Sequence, residues 1–184
     1  MKIFTFLLCI LPSVSFAINV NIEPYLQLTP LGETDYIPRP ASLNGIGDFS
    51  GTAIGARLGA KFMGIGLGLD YSTGSYNTKD RFSTINQGEH FDLRSIGAYI
   101  SYSVMNFRLL FAYLFEANVV TDGDNYYEGD ENIKLSVGHQ FKNNLNLAVE
   151  YQQYDLHSIS PAGNSSFDIE GMMSLSISYP FSIY

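Results

Sequence analysis

A hairpin with strict alternation of apolar and polar residues limits the folds open to this chain. Between Ile133 and Tyr154, two segments flank the short turn Lys142-Asn143-Asn144 and place an apolar side chain at almost every second position. This period of two indicates β-strands, because successive side chains of a strand point to opposite faces. Each arm has roughly ten residues, the length with which a tilted strand crosses a bilayer. The hairpin therefore predicts a sheet that has one apolar and one polar face.

The same unit recurs along the chain and gives eight predicted strands. They are 18–29, 50–62, 63–72, 91–103, 107–119, 133–141, 145–154 and 167–181. Long polar loops over 30–48, 74–90, 120–131 and 155–166 alternate with short turns. This alternation is typical of outer-membrane barrels, in which outer loops are long and periplasmic turns are short. We predict an all-β fold, an eight-stranded antiparallel up-and-down transmembrane β-barrel, with both termini on the periplasmic side.

The start of the chain has the composition of a cleaved export signal. A lysine precedes the apolar run 3–11, and the small residues Ser15 and Ala17 fit a signal-peptidase site. We predict a Sec signal peptide over 1–17 and an outer-membrane β-barrel domain over 18–184, located in the outer membrane of a Gram-negative bacterium. The alternative reading of the first segment is a buried N-terminal strand.

Composition excludes several classes of function. Cys9 is the only cysteine and lies within the predicted signal, so the mature chain offers neither a disulfide nor a thiol nucleophile. The formal net charge of −8 argues against a nucleic-acid partner. After the predicted signal, no apolar run is long enough for a spanning helix, whereas barrels show only weak alternating hydrophobicity.

The polar faces of the predicted strands carry charges of both signs. An eight-stranded barrel has an interior just wide enough for its own side chains, so these charges are expected to pair across the lumen. A soluble barrel of the lipocalin kind is the structural alternative, but it would place its apolar residues inside. The predicted interior charge network consists of Glu23, Arg57, Lys61, Asp70, Arg108, Glu116, Lys134, Glu150 and Glu170.

Aromatic residues cluster near the ends of the predicted strands. Transmembrane barrels carry aromatic girdles at both membrane interfaces, because amphipathic rings favour that depth. His139 falls on the outward face near a strand end and is expected to have a structural role at the interface. The predicted interface aromatics are Phe62, Tyr71, Phe107, Phe141, Tyr151, Tyr179 and Phe181.

The segment VGHQFKNNLNLAVEYQQYD, 137–155, resembles the small outer-membrane barrel superfamily of the OmpA/OmpX type. Members carry an aromatic strand end, a short Asn-rich turn and a strand that ends in Glu-Tyr, and His139 stands here where an aromatic is usual. The resemblance implies a C-terminal aromatic that the barrel-assembly machinery reads. Tyr184 has the wrong parity for that role, so either Phe181 serves as the signal or the register shifts after Pro180.

Two loops contain residues with possible chemistry. Asp155, His157, Ser158 and Ser160 supply the residue types of a lipid-A-modifying hydrolase, but a serine-rich loop is the better interpretation. The loop 120–131 is acidic, and its carboxylates form a possible weak site for Mg²⁺ or Ca²⁺, although a solvated loop is the simpler interpretation. The candidate cation ligands are Asp122, Asp124, Glu128, Asp130 and Glu131.

We therefore predict a non-enzymatic membrane barrel with a structural or surface-interaction role that its four outer loops carry. Tyr126 and Tyr127 offer rigid contact area for an adhesive role. The first alternative is a narrow, porin-like conduit that the interior charges gate, and the second is a lipid-A-modifying enzyme. The expected partners are outer-membrane lipids, lipopolysaccharide, the barrel-assembly machinery and an extracellular surface partner. We expect a monomer with no resident cofactor or metal and no catalytic residues.

Overall fold

The described part of the chain consists of strands and their short connections. The computed structural model describes residues 19–37, 45–79, 90–121, 126–129, 131–158 and 166–183. None of these residues forms a helix that could cross a membrane. The strands are β1 (Asn19–Ile37), β2 (Gly45–Phe62), β3 (Ile65–Lys79), β4 (His90–Val104), β5 (Phe107–Thr121), β6 (Tyr126–Gly129), β7 (Asn132–Gln140), β8 (Asn146–Tyr154), β9 (His157–Ser158), β10 (Ser166–Ser178) and β11 (Phe181–Ile183).

The sheet closes on itself. Each strand pairs antiparallel with its neighbour, and β1 completes the circle by pairing with β10 and β11. The short strand β6 precedes β7, β9 follows β8, and β11 follows β10, so these pairs act as three interrupted strands of the barrel. The prediction of an eight-stranded antiparallel barrel is therefore confirmed. Closure satisfies every strand edge, which a hydrocarbon environment requires.

Short turns join the strands at one end of the barrel, together with the first described residues and β11. At the first turn, Met63 and Gly64 both have positive φ angles, of 48° and 85°. That pattern matches a type I′ hairpin turn, whose twist suits the flanking strands. The turn pairs Phe62 with Ile65 and thereby fixes the register of β2 against β3. We call this end of the barrel the periplasmic end, because short turns face the periplasm in this class of fold.

The outer face of the barrel is apolar and exposed, as a lipid-facing surface must be. In β1, Leu26 and Leu28 are each more than half exposed, while Tyr25 and Gln27, which alternate with them, are buried. The other strands repeat this alternation, for example in the burial pattern of β4. A soluble barrel would have the reverse arrangement, because water-exposed sheets place polar residues outside.

Several strands extend further from the periplasmic end than the sequence predicted. β1 continues to Ile37, β2 begins at Gly45 and β3 continues to Lys79, so parts of the predicted loops 30–48 and 74–90 are strand. β6 and β9 likewise lie inside predicted loops. The prediction ended these strands where apolar alternation ended. The backbone ladder continues above that level, where the outer face no longer needs to be apolar.

A β-bulge in β5 turns Glu116 out of the lumen. Ile96 pairs with Glu116 but Gly97 pairs with Leu114, so Phe115 is an extra residue in β5. A bulge of this kind shifts the inward and outward alternation by one position. Leu114 is consequently buried and Glu116 is exposed on the outer surface. The predicted interior position of Glu116 is therefore wrong.

A second irregularity does the same to Glu170. Tyr154 pairs with Ile169 and Gln152 pairs with Met172, which leaves one extra residue in β10. Ile169 and Met172 both point into the lumen and are fully buried, whereas Glu170 is exposed. Regular alternation along the predicted strand 167–181 would place Glu170 inside and Ile169 outside, so the predicted interior position of Glu170 is wrong for this reason.

The C-terminal strand keeps its register across the proline. β10 ends at Ser178, and β11 resumes pairing with β1 through Phe181 opposite Ile22. Before the proline, Ser178 pairs with Tyr25 in the same register, so Pro180 interrupts the hydrogen bonding without shifting the register. Phe181 remains exposed on the outer face. Tyr184 and the predicted signal peptide lie outside the described residues.

Candidate functional site: the lumen

A row of charged residues crosses three neighbouring strands at the same height in the lumen. Glu23 on β1 pairs directly with Arg57 on β2, and Arg57 pairs directly with Asp70 on β3. The register that the Met63-Gly64 turn sets brings Arg57 opposite Asp70. All three side chains are buried, so the row forms one layer inside the barrel.

Arg57 is the centre of this layer. Its guanidinium donates from Nη1 to Glu23 Oε1 at 3.1 Å, from Nε to Asp70 Oδ2 at 3.2 Å and from Nη2 to Glu150 Oε1 at 2.7 Å. Glu150 belongs to β8, on the far side of the barrel from β3, so the guanidinium spans the lumen. Its side chain is only 1% exposed. Planar guanidinium geometry suits several simultaneous carboxylate contacts.

Two further cations complete the layer. Arg108 Nη1 donates to Glu23 Oε2, and Lys134 Nζ donates to Asp70 Oδ2 at 3.2 Å. The three cations Arg57, Arg108 and Lys134 thus face three carboxylates, and their formal charges sum to zero. We call these six residues the ionic layer. Buried ions are tolerated only when they are paired and hydrogen-bonded, and this balance meets that condition.

Neutral side chains occupy the remaining hydrogen-bonding positions of the ionic layer. Tyr25 Oη donates to Asp70 Oδ1 at 2.7 Å and accepts from Lys134 Nζ at 3.1 Å. The Tyr25 ring also lies 4.3 Å from the Arg57 Cζ atom, a cation–π distance. Ser178 Oγ donates to Glu23 and Ser176 Oγ donates to Glu150, each at 2.7 Å. The predicted interior charge network did not include these neutral residues.

An apolar layer fills the lumen above the ionic layer, away from the periplasmic end. Tyr76 stacks on Phe91 with ring centroids 5.2 Å apart and meets Phe49 edge-on at 5.5 Å. All three rings are about 1% exposed. We call them the aromatic layer. Alternation did not predict this layer, because Tyr76 lies in the predicted loop 74–90 and Phe49 lies between the predicted loop 30–48 and the predicted strand 50–62. Further buried apolar residues at this level are Leu93, Val119, Tyr127, Tyr154, Leu156, Ile169 and Met172.

Lys61 lies apart from the ionic layer. It is half-buried near the periplasmic end and lines a polar cavity together with Glu23 and Arg108. Among the described residues, no carboxylate oxygen lies within 4.0 Å of its ammonium nitrogen. The structure therefore brings six of the nine predicted interior charges together, leaves Lys61 beside them and places Glu116 and Glu170 outside.

The residues with possible loop chemistry do not form a compact site in the part of the chain that the structure describes. His157 Nε2 lies 3.7 Å from Asp155 Oδ1, with both side chains mostly exposed, whereas the side chain of Ser158 and the whole of Ser160 are outside the described part. No three or more His, Asp, Glu or Cys side chains are grouped so that they could hold a metal ion there. Glu128 and Glu131 are exposed, whereas Asp122, Asp124 and Asp130 are outside the described residues.

The aromatic residues predicted at the interfaces mostly point outwards. His139 packs edge-on between Phe107 and Phe141, with ring centroids 5.3 and 4.8 Å away, near the periplasmic end. Tyr179 and Phe181 form a second outer pair at 4.8 Å. Phe62 and Tyr151 are intermediate in exposure. Tyr71 is exposed but lies in the middle of β3, since that strand is longer than predicted.

The two tyrosines that were predicted to offer contact area for a partner point in opposite directions. Tyr126 is exposed, whereas Tyr127 points into the lumen and cannot contact a partner.

Comparison with solved structures finds the same architecture elsewhere. Neisserial surface protein A aligns with 88% of this chain and 97% of its own length, at 14% identity and a TM-score of 0.50. The fold is that of a small outer-membrane β-barrel. Ail, the attachment invasion locus protein of Yersinia pestis, aligns over 89% of this chain and 99% of its own at 10% identity and a TM-score of 0.46. The outer-membrane protease OmpT of Escherichia coli aligns over 94% of this chain and 99% of its own length, at 13% identity and a TM-score of 0.40.

At these identities, the likeness extends to the fold alone. No family model matches the sequence, and the search of curated proteins found no match. The predicted resemblance to small outer-membrane barrels is confirmed at the level of architecture. What the lumen and the loops of this chain do must be argued from its own residues.

The different positions of Glu150 and Glu116 lead to a test. We expect Glu150→Gln to lower the free energy of unfolding by about 3 kcal/mol or more, since it removes one of the three carboxylates that contact Arg57 and leaves the buried ionic layer with one excess positive charge. Glu116→Gln removes the same charge from an exposed side chain and should change the free energy of unfolding by less than about 0.5 kcal/mol. Urea titration of the protein refolded in lipid vesicles measures both. Similar losses for the two variants would contradict the placement of Glu116 outside the lumen.

Proposed function

We propose that this protein is a non-enzymatic barrel of the outer membrane, with a closed body that supports surface interactions through its outer loops. The observation that carries the proposal is the ionic layer, in which Arg57 contacts carboxylates from both sides of the lumen. A charged lumen that conducts solutes needs a hydrated path along its charges. Here each of the three cations is paired with a carboxylate instead, which supports a scaffold rather than a conduit.

The aromatic layer adds to this argument. Phe49, Tyr76 and Phe91 lie above the ionic layer and pack against one another in the same lumen. A solute on a straight path would have to displace both layers. Removing the partner of a buried ion costs about 3–5 kcal/mol, so spontaneous opening of the ionic layer is rare. The predicted narrow pore, gated by interior charges, is therefore the less favoured alternative.

The outer end of the barrel offers the surface for interactions. Among the described residues at this end, the exposed charged side chains are mostly acidic, and Tyr126 beside them is more than half exposed. Such a rim would repel lipopolysaccharide phosphates unless divalent cations bridged them, and it would favour a partner with basic groups. Asp155 and His157 also lie on this rim, and both side chains are mostly exposed and accessible to a partner. The exposed acidic residues are Glu33, Asp92, Glu116, Glu128, Glu131, Asp155 and Glu170.

Conductance in a planar bilayer tests the closed body. Protein whose insertion has been verified by a heat-dependent gel shift should show no discrete channel events, because both layers block the lumen. Steady unitary conductance from the same preparation would contradict the proposal and favour the pore. The mass of lipid A from cells that express the protein should be unchanged, whereas loss of an acyl chain would favour the lipid-modifying alternative.

A further inference from the structure

A polar cavity opens at the periplasmic end of the lumen. Its volume is about 290 Å³, and it lies directly below the ionic layer, with Glu23 and Arg108 in its wall. At roughly 30 Å³ for each water molecule, this is room for about ten waters or for a small solute. The lining residues are Asn19, Asn21, Glu23, Ala60, Lys61, Gly66, Tyr99, Ser101, Ser103, Arg108, Gln140, Asn144, Pro180 and Ser182.

The charges that line the cavity do not cancel. Arg108 is paired with Glu23, which also contacts Arg57. Lys61 has no carboxylate within 4.0 Å among the described residues, so it leaves an excess of one positive charge in the wall. A half-buried ammonium group without a counterion costs solvation energy that an anion in the cavity would recover.

A second observation points to a polar occupant. The Ser103 hydroxyl oxygen is buried and has no hydrogen-bond partner among the described residues, although it lines this cavity. Buried polar groups in proteins almost always have a partner, and an unpaired hydroxyl in a cavity wall is available to hydrogen-bond a polar occupant. The neighbouring Ser101 hydroxyl adds a further donor at the same wall.

In the described part of the chain, the cavity opens on one side. The ionic layer forms its upper end, since Glu23 and Arg108 belong to both. The start of β1, β11 and the short turns surround its open end, and Asn144 of the turn that follows Phe141 is one of its lining residues. Any occupant must therefore come from the periplasm or from the inner leaflet of the outer membrane, not from outside the cell.

We propose that this cavity binds a small oxyanion, the carboxylate or phosphate group of a periplasmic solute or of an inner-leaflet lipid headgroup. The Lys61 ammonium supplies the charge, and the guanidinium of Arg108, whose contact with Glu23 uses only one of its nitrogens, supplies further donors. The hydroxyls of Ser101 and Ser103 complete the set. The cavity is polar and partly open to water, so binding is weak, with a dissociation constant on the order of millimolar.

Titration of the refolded full chain in a neutral detergent tests the site. Amide chemical shifts of Lys61, Ser101 and Arg108 are followed while acetate or inorganic phosphate is added at constant pH and ionic strength. We expect saturable shifts at these residues and at least a tenfold weaker affinity in Lys61→Met. Lys142→Met removes an exposed lysine from the nearby turn and should bind as the unmodified chain does. Shifts that do not saturate, or that are equal in both variants, would overturn the proposal.

Changing the lipid distinguishes the two sources of the oxyanion, a lipid headgroup and a free solute. If a headgroup supplies it, nanodiscs with phosphatidylglycerol should produce the Lys61-dependent shifts without added anion, and zwitterionic nanodiscs should not. If a free solute supplies it, both kinds of nanodisc should require acetate or phosphate. Shifts that persist in Lys61→Met under every condition would reject the site. This test does not use conductance, so it can fail while the closed-body proposal stands.

Discussion

Replacing Arg57 with methionine is expected to lower the free energy of unfolding by about 3–5 kcal/mol, the cost of breaking a buried ion pair from one side. The variant leaves Glu23, Asp70 and Glu150 with only Arg108 and Lys134 as counterions. Glu150 would then lose its only described cationic contact, because its Oε1 atom accepts from Arg57 and from a serine. Urea titration in lipid vesicles, followed by circular dichroism, measures the loss.

Arg94→Met serves as the matched control for this prediction. Arg94 is exposed on β4, so the same substitution there should change stability by less than about 0.5 kcal/mol. The double variant Arg57→Met with Glu150→Gln removes one charge of each sign. Its loss in the free energy of unfolding should be smaller than the sum of the losses of the two single variants by at least about 1 kcal/mol. Additive losses would mean that Arg57 and Glu150 are not energetically coupled, and the ionic layer would lose its central contact.

Part of the lumen could be predicted from sequence because local geometry determines it. Alternation placed Glu23, Arg57 and Asp70 on inward faces, and the structure buries all three. Once the turn at Met63 is located, the hairpin register follows by counting from it, and Arg57 falls opposite Asp70. Contacts between adjacent strands joined by a tight turn are thus accessible from the chain alone.

Other parts depend on features that leave no pattern in a single sequence. The extra residue in β5 at Phe115 cannot be distinguished from regular alternation, since Leu114 and Phe115 are both apolar, and it reverses the position of Glu116. The contact from Arg57 to Glu150 crosses the lumen and exists only because the sheet closes. The aromatic layer lies where polar residues outnumber apolar ones, so Tyr76 gave no signal of burial.

Tyr76→Ala is expected to lower the free energy of unfolding by about 3–5 kcal/mol, the range for removing a large buried aromatic side chain. Tyr76 contacts both Phe49 and Phe91, and each offset or edge-on pair adds about 0.5–1.5 kcal/mol beyond area burial. Tyr126→Ala removes the same side chain from an exposed position on β6 and should cost less than about 1 kcal/mol. The same urea titration compares them, and equal losses would show that the aromatic layer does not stabilise the barrel.

The same variant also separates the two layers of the lumen. If folded Tyr76→Ala protein remains silent in a planar bilayer, the ionic layer alone closes the lumen, as expected from the contacts of Arg57 with three carboxylates. If discrete conductance appears, the aromatic layer is the barrier and water already penetrates between the ions below it. Because Tyr76 makes none of the contacts of the ionic layer, this result would assign closure to one layer without disturbing the charges of the other.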